Sequence, residues 1–327
     1  MEDQNKAPTI WTIYGEDIKG QSPKMIQFRK ALLATAFSWW EKDRILTLAP
    51  GFEQHRWAVK LAVGRHSDIA NRMDNCGILR SQGNYQECRV PLCPRCFMLR
   101  RGRETGKNIR KFFKGCENTD LGLLSVLLPV TTDLGTVRKS MAYHKQKIIN
   151  MLAVKRREDA RWKSVHMVGY WELNRYSDLD YLEFGRLTQM AMDKLNWPLA
   201  ANGGTVWHPH FHAIVARGEV SLAEITDLFR NEAFNQPYQV DLQPFDVQRP
   251  VERNLQTVTR YCMKFRIEHN FKRRDAFGGD EELEFLPCEE RAWWPKADVA
   301  AYAKWLCNQH GAFRAMRFRI GPKRKDR

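Results

Sequence analysis

The chain has 327 residues, 43% of them hydrophobic, enough to bury one large core or two smaller ones, which excludes a disordered protein. Its 53 Lys and Arg against 38 Asp and Glu leave a formal charge of +15, which favours a polyanionic partner, nucleic acid first, over an acidic metabolite. The opening Met1 to Gly15 is polar and lacks the apolar segment of a secretory signal. The longest strongly apolar stretch, Leu121 to Val130, is about half of the ~20 residues a membrane helix needs, so a cytoplasmic protein without a membrane partner is expected. Eight cysteines in a reducing compartment are poor disulfide candidates, and four of them cluster, which points to metal.

In chain order, Lys24 to about Arg44 carries apolar residues at helical spacing (Ile26, Phe28, Leu32, Leu33, Phe37, Trp40) with no Pro or Gly between Pro23 and Pro50, and reads as helix. From Asp74 to Cys96, Gly77, Gly83, Pro91 and Pro94 break any long element, and cysteines become the organising residues. Leu121 to Val130 reads as a buried strand and Leu134 to about Ala160 as a basic helix. Val165 to Asn174 alternates, with His166, Val168, Tyr170, Glu172 and Asn174 on one face, and predicts a half-buried strand. Tyr181 to Leu195 predicts a helix, and Asn202-Gly203-Gly204 a turn into a strand over Thr205 to Val215. Helices are expected over Leu222 to Phe229 and Arg253 to Phe271. Lys272 to Glu284, with Gly278-Gly279, reads as a loop or linker. An amphipathic helix near Ala297 to Gln309, a short strand within Phe313 to Ile320 and the basic ending Lys323-Arg324-Lys325 complete the chain, which has no internal repeat.

Cys93 and Cys96 form a Cys-x-x-Cys hook, and Cys76 and Cys88 can complete a tetrahedron around one Zn²⁺. With all four positions filled by protein such a site is structural, since catalytic zinc keeps a position open. Arg95, Arg100, Arg101 and Arg103 surround or follow the hook; they would offset its negative charge and could meet DNA phosphates.

In the extended segment Trp207 to Val215, His208, His210 and His212 share a face. Two imidazoles and a carboxylate suit Mg²⁺ or Mn²⁺ when a substrate supplies phosphate oxygens. Glu172 is the natural carboxylate, because two adjacent antiparallel strands could bring it beside His210 and His212, with His208 a further candidate ligand or a support for the others. Tyr261 and Lys264 lie one turn apart on an expected helix. A phenol there can attack phosphorus, with Lys264 orienting it or neutralising developing charge.

Four motifs in order resemble those of the HUH endonucleases, and within them the rolling-circle replication initiators of bacterial plasmids. They are Cys88-Arg89-Val90-Pro91-Leu92-Cys93-Pro94-Arg95-Cys96 with the basic residues after it, Gly169-Tyr170-Trp171-Glu172, His208-Pro209-His210-Phe211-His212, and Tyr261-Cys262-Met263-Lys264. The resemblance covers roughly Cys76 to Phe265 and implies an α+β fold: a central antiparallel sheet with flanking helices, plus the small four-cysteine module. It implies that His210 and His212 are a metal pair, Glu172 a further ligand and Tyr261 the nucleophile. The implied activity is nicking and joining of single-stranded or hairpin origin DNA through a covalent 5′-phosphotyrosine, with Mg²⁺ or Mn²⁺ for catalysis, Zn²⁺ for structure, and a host helicase and polymerase as partners. The expected division is 1–115 with the zinc module at about 74–100, a catalytic domain over 116–275, and a basic helical extension over 276–327.

The chain departs from that pattern in several places. Ser125-Val126-Leu127-Leu128-Pro129-Val130 replaces a Thr-rich strand, the interval from Glu172 to His208 is long, and Thr257 stands where some relatives carry an acid. Phe265 occupies the place of a second tyrosine, which favours a single-nucleophile cycle. A one-tyrosine transposase of the same superfamily, a non-catalytic zinc-containing DNA-binding protein and a hydrolytic metallonuclease are the alternatives.

Overall fold

The computed structural model describes residues 37–40, 45–48, 50–78, 85–197, 204–263, 267–268, 293–309 and 312–321. Lys264, Asn202-Gly203, the 272–284 segment, the basic ending and the expected helix before Phe37 lie outside them. The described residues fall into two compact units.

In the first unit, β1 (Phe37–Trp40) and β2 (Ile45–Leu48) pair antiparallel, Phe37 opposite Leu48 and Trp40 opposite Ile45. This corrects the helix expected to run through residue 44. Phe-Ser-Trp-Trp and Ile-Leu-Thr-Leu are rich in aromatic and branched residues, which favour a pleated surface. Helix α1 (Pro50–Val63) follows, then α2 (Asp68–Asp74), capped by Ser67, whose Oγ accepts from the Ala70 amide at 3.2 Å. Asp74 receives Arg56 at 2.8 Å and also Lys60, tying α1 to the end of α2. Helix α3 (Pro94–Lys107) starts here, and the chain passes into the second unit at Glu104.

The second unit is built on an antiparallel sheet of five strands: β3 (Leu121–Leu127), β4 (His166–Tyr176), β5 (Val206–Ala216), β6 (Val240–Pro244) and β7 (Arg317–Ile320), in the spatial order β6-β3-β5-β4-β7. Helix α4 (Leu134–Glu158) is N-capped by Asp133, whose carboxylate accepts from the Thr136 amide at 2.7 Å. It lies on the sheet face that carries Phe211 and Phe318, with Lys145 Nζ 5.9 Å from the Phe318 ring centre. The long interval between β4 and β5 holds α5 (Asp178–Glu183) and α6 (Arg186–Lys194), where one helix was expected; the break falls at Phe184-Gly185. Phe184, Met192 and Trp197 there bury themselves with Val130 and Val206. Helix α7 (Leu222–Glu232) carries a capping box at Ser221 and Glu224 and packs by β6. Helix α8 (Val251–Cys262) crosses the opposite sheet face, over β4 and β5.

β5 is buried along its whole length, and β4 is buried on both faces over Met167–Leu173, which corrects the half-buried expectation. The physical reason is that β4 lies inside the sheet and α8 covers its polar face, so Tyr170 and Glu172 are enclosed as well. The expected C-terminal extension is divided. Helix α9 (Lys296–Cys307) lies against α1 in the first unit, whereas Arg317–Ile320 joins the sheet as edge strand β7. Among the described residues, no helix is long and apolar enough to cross a membrane.

Candidate active site and metal centre

In the first unit, the sulfurs of Cys76, Cys88, Cys93 and Cys96 are buried and lie within 4.8 Å of one another. Cys96 Sγ is 3.5 Å from both Cys76 Sγ and Cys88 Sγ. Four thiolates around Zn²⁺ at about 2.3 Å stand about 3.8 Å apart, so this cluster is consistent with a zinc site. The turns that gather the cysteines are local. The Gly77 amide donates to the Gln86 carbonyl at 2.8 Å with Gly77 at positive φ, Cys93 closes a turn onto the Val90 carbonyl at 3.0 Å, and Pro94 begins α3. Contacts with Cys88, Cys93 and Cys96 hold the Cys76 thiol well below its ordinary range. The contact with Cys76, the other sulfur contacts and burial push Cys88 upward, and Cys96 shifts upward as well, with its contact to Cys76 the leading cause. Four sulfurs buried together could all be thiolates only with a bound cation to offset their charge.

Two of the arginines expected to face DNA are enclosed instead. Arg95 is 3% exposed, donating to the Cys76 carbonyl at 2.9 Å and pairing with Glu53 at 3.1 Å, which makes it a brace for the cysteine loop. Arg101 is also 3% exposed and lies over the Phe97 ring, 5.2 Å from its centre. Neither presents an exposed guanidinium. Arg100 and Arg103 are half-buried, Arg103 paired with Glu87 at 2.6 Å.

In the second unit, strand register assembles the other site. Directly opposite residues of an antiparallel pair share a face. Glu172 stands opposite His210, Tyr170 opposite His212 and Asn174 opposite His208, while β3 sets Ser125 opposite His212 and Leu127 opposite His210. His212 Nε2 lies 3.3 Å from Glu172 Oε2, and its Nδ1 lies 2.9 Å from Ser125 Oγ. Ser125 therefore occupies one ring nitrogen and leaves the other directed at the carboxylate. His210 Nε2 is hydrogen bonded to His208 Nδ1 at 2.8 Å. His208 is fully buried, its Nε2 has no hydrogen-bond partner among the described residues, and burial, followed by the neighbouring His210, holds its pKa well below the ordinary imidazole value.

Tyr261, at the C-terminal end of α8, is 39% exposed, and its ring centre is 5.0 Å from that of His212. Asn108, the first residue of a π-helical turn (Asn108–Phe112), fixes the helix above the sheet. Its fully buried Nδ2 donates to Thr259 Oγ1 at 2.9 Å and reaches Tyr170 Oη at 3.4 Å. Thr259 in turn donates to the Leu255 carbonyl at 2.6 Å. Burial pushes the Tyr170 phenol above its usual range, so it stays protonated and available as a hydrogen-bonding partner.

The structure thus brings Glu172, His210, His212 and Tyr261 to one side of the sheet, with His208 next along the same strand face, bonded to His210. A separation of 3.3 Å between His212 Nε2 and Glu172 Oε2 fits two ligands of one octahedral cation, which stand about 3 Å apart at ligand distances near 2.1 Å. The donor chemistry suits a divalent ion. The triad is not closed, however: among the described residues the four cysteines are the one group of three or more donors that all lie within 4.8 Å, and His210 is turned to His208. Sequence reasoning missed Ser125, Asn108, Tyr170 and Thr259 as members of this site. Ser125 and Tyr170 carried a signal, since strand parity puts them on the histidine face once register is known, while Asn108 and Thr259 carried none.

No family model, curated protein or solved structure matches the chain.

Proposed function

We propose that the chain is a metal-dependent DNA strand transferase of the HUH kind, which nicks and rejoins one strand at a replication origin through Tyr261. The observation that carries this reading is the juxtaposition of three groups: a phenol ring edge-on to an imidazole, 5.0 Å centre to centre, with an outer imidazole nitrogen that faces a carboxylate at 3.3 Å. In this reading His210, His212 and Glu172 hold a Mg²⁺ or Mn²⁺, which polarises the scissile phosphate when bound. Tyr261 loses its proton and its oxygen bonds to phosphorus. The bond from phosphorus to O3′ breaks, and the 3′ oxygen takes up a proton. One phosphoester replaces another, so the nick can be reversed without an added energy source, and the freed 3′ hydroxyl can prime a polymerase.

Ser125 keeps the His212 ring in the orientation that presents Nε2, and Asn108 keeps α8 at the height that presents Tyr261. The excess of 53 basic over 38 acidic residues supports a DNA partner, single-stranded or in a hairpin, with a host helicase supplying the opened strand. The cysteine site has no part in the chemistry. The test uses a randomised single-strand pool with Mn²⁺. A label at the 3′ end should become attached to denatured protein, a label at the 5′ end should be released, and Tyr261→Phe should abolish both. Cleavage without any attached label would favour hydrolysis, and binding without cleavage a DNA-binding module.

A further inference from the structure

The two cysteines outside the Cys-x-x-Cys hook are each held by an arginine from elsewhere in the chain. Cys93 and Cys96 need no such support. The Cys93 carbonyl accepts from the Phe97 amide at 2.8 Å as α3 begins, and Cys96 lies in the first turn of that helix, so helix geometry fixes both. Cys76 and Cys88 lie outside helices. Arg95, within the hook, donates from Nη1 to the Cys76 carbonyl at 2.9 Å. Arg72, near the end of α2, donates from Nε and Nη2 to the Cys88 carbonyl at 3.2 and 2.7 Å.

These braces interlock. Through Arg95 the hook grips the segment of Cys76, and through Arg72 the helix leading to Cys76 grips the segment of Cys88. Each guanidinium is steadied by a carboxylate, Arg95 by Glu53 at 3.1 Å and Arg72 by Asp68 at 3.5 Å. Arg89, directly after Cys88, stands in the left-handed region at φ 59°, a conformation unfavourable to any residue with a Cβ, and the Val90 amide beyond it donates to the Cys88 sulfur at 3.5 Å. Four thiolates carry more negative charge than one Zn²⁺ offsets, so the buried guanidinium of Arg95 also lowers the cost of enclosing the site.

We infer that Arg72 and Arg95 are positioning residues for a bound Zn²⁺: Arg72 keeps Cys88 on the ion and Arg95 keeps Cys76 there, so that each sets how readily one particular thiolate leaves. A thiolate departs when its segment swings away from the ion, and a carbonyl pinned beside that thiolate resists the swing. The inference stands on the four-cysteine site alone and is independent of the chemistry assigned to Tyr261.

The experiment follows zinc release from zinc-loaded full-length protein to a chromogenic chelator. N-ethylmaleimide marks each cysteine as it is freed, and peptide mass spectrometry locates the mark. Arg72→Met and Arg95→Met should each speed release about tenfold, the low end of what a residue orienting a metal ligand contributes. The marks should differ: Cys88 first in Arg72→Met, Cys76 first in Arg95→Met, and Cys93 and Cys96 last in both. Arg72→Lys, which keeps one donor, should fall between the parent and Arg72→Met. Val59→Ala, which opens a cavity at a fully buried position on α1, should lower the urea midpoint and leave the release rate unchanged. The Arg72 side chain is 38% exposed, so its replacement tests the inference even where Arg95→Met does not fold. Unchanged release in Arg72→Met, simultaneous marking of all four cysteines, an equal acceleration by Val59→Ala, or a parent that holds no zinc would overturn the inference.

Discussion

Gly169 sits on β4 opposite Ala213 of the neighbouring histidine strand, and alanine there should disturb the site through packing alone. A Cβ at that position would stand 2.2 Å from Phe211 Cε2, 2.4 Å from Phe211 Cζ and 3.0 Å from the His212 carbonyl oxygen. Ordinary carbon contacts begin at about 3.5 Å, so more than an ångström of overlap must be relieved. Phe211 cannot turn aside. It is fully buried, with Trp171 and Phe318 each 5.1 Å away, ring centre to ring centre. The strain must pass to the backbone between His210 and His212.

Overpacking of this kind costs about 1–3 kcal/mol, and a walled-in ring together with a backbone oxygen puts Gly169→Ala near about 3. Phe211→Leu alone should cost about 1.5 kcal/mol in lost packing, yet in the double variant it removes the obstacle. Urea unfolding of the two single variants and the double variant should therefore give a coupling of at least about 1 kcal/mol in the stabilising direction. Strictly additive costs would refute the packing argument, as would a Gly169→Ala variant within about 0.5 kcal/mol of the parent.

Ser125→Ala removes the bond to His212 Nδ1 and should raise the Mn²⁺ concentration for half-maximal adduct formation about tenfold, with Ser125→Thr restoring it. An unchanged metal requirement would contradict the role given to the hydroxyl. Elemental analysis should find one Zn²⁺ per chain, and Cys93→Ser should lose that zinc and the folded signal of the first unit; intact stability without zinc would contradict the assignment. His144, lodged beside Phe234 on α4, has its pKa held down to about 4 by burial and then by Lys147. Protonation thus favours the unfolded chain: the stability is fully present above about pH 6.5 and drains away as pH falls from there towards 4. It should cost about 1 kcal/mol at pH 5 once the partial exposure of the ring is allowed for. His144→Gln should flatten that part of the pH-stability curve, and an unaltered slope would count against it.

Much of the second unit was legible because its strands advertise themselves. Three histidines at alternate positions can share a face only in an extended chain, and the strand ending at Tyr176 offered one carboxylate on its polar side. Register was the missing quantity, and β4 supplies it by setting Glu172 opposite His210. Burial was less legible. Alternation along β4 predicts one wet face, but whether that face is wet depends on α8, a helix nearly ninety residues downstream. The arginines after the cysteine hook read as DNA contacts from charge alone, whereas Arg95 braces the loop through Cys76 and Glu53, a contact between residues far apart in sequence. β1 and β2 were lost to an apolar pattern compatible with either helix or strand, and β6, with one buried position in five, leaves almost no pattern to read.

The most direct measurement of the central claim is peptide mass spectrometry after reaction with single-stranded DNA and Mn²⁺, followed by nuclease digestion. The account predicts a nucleotide remnant joined through phosphate to Tyr261 and to no other side chain. Strand cleavage with an unmodified Tyr261 peptide, or a remnant on a different residue, would contradict it.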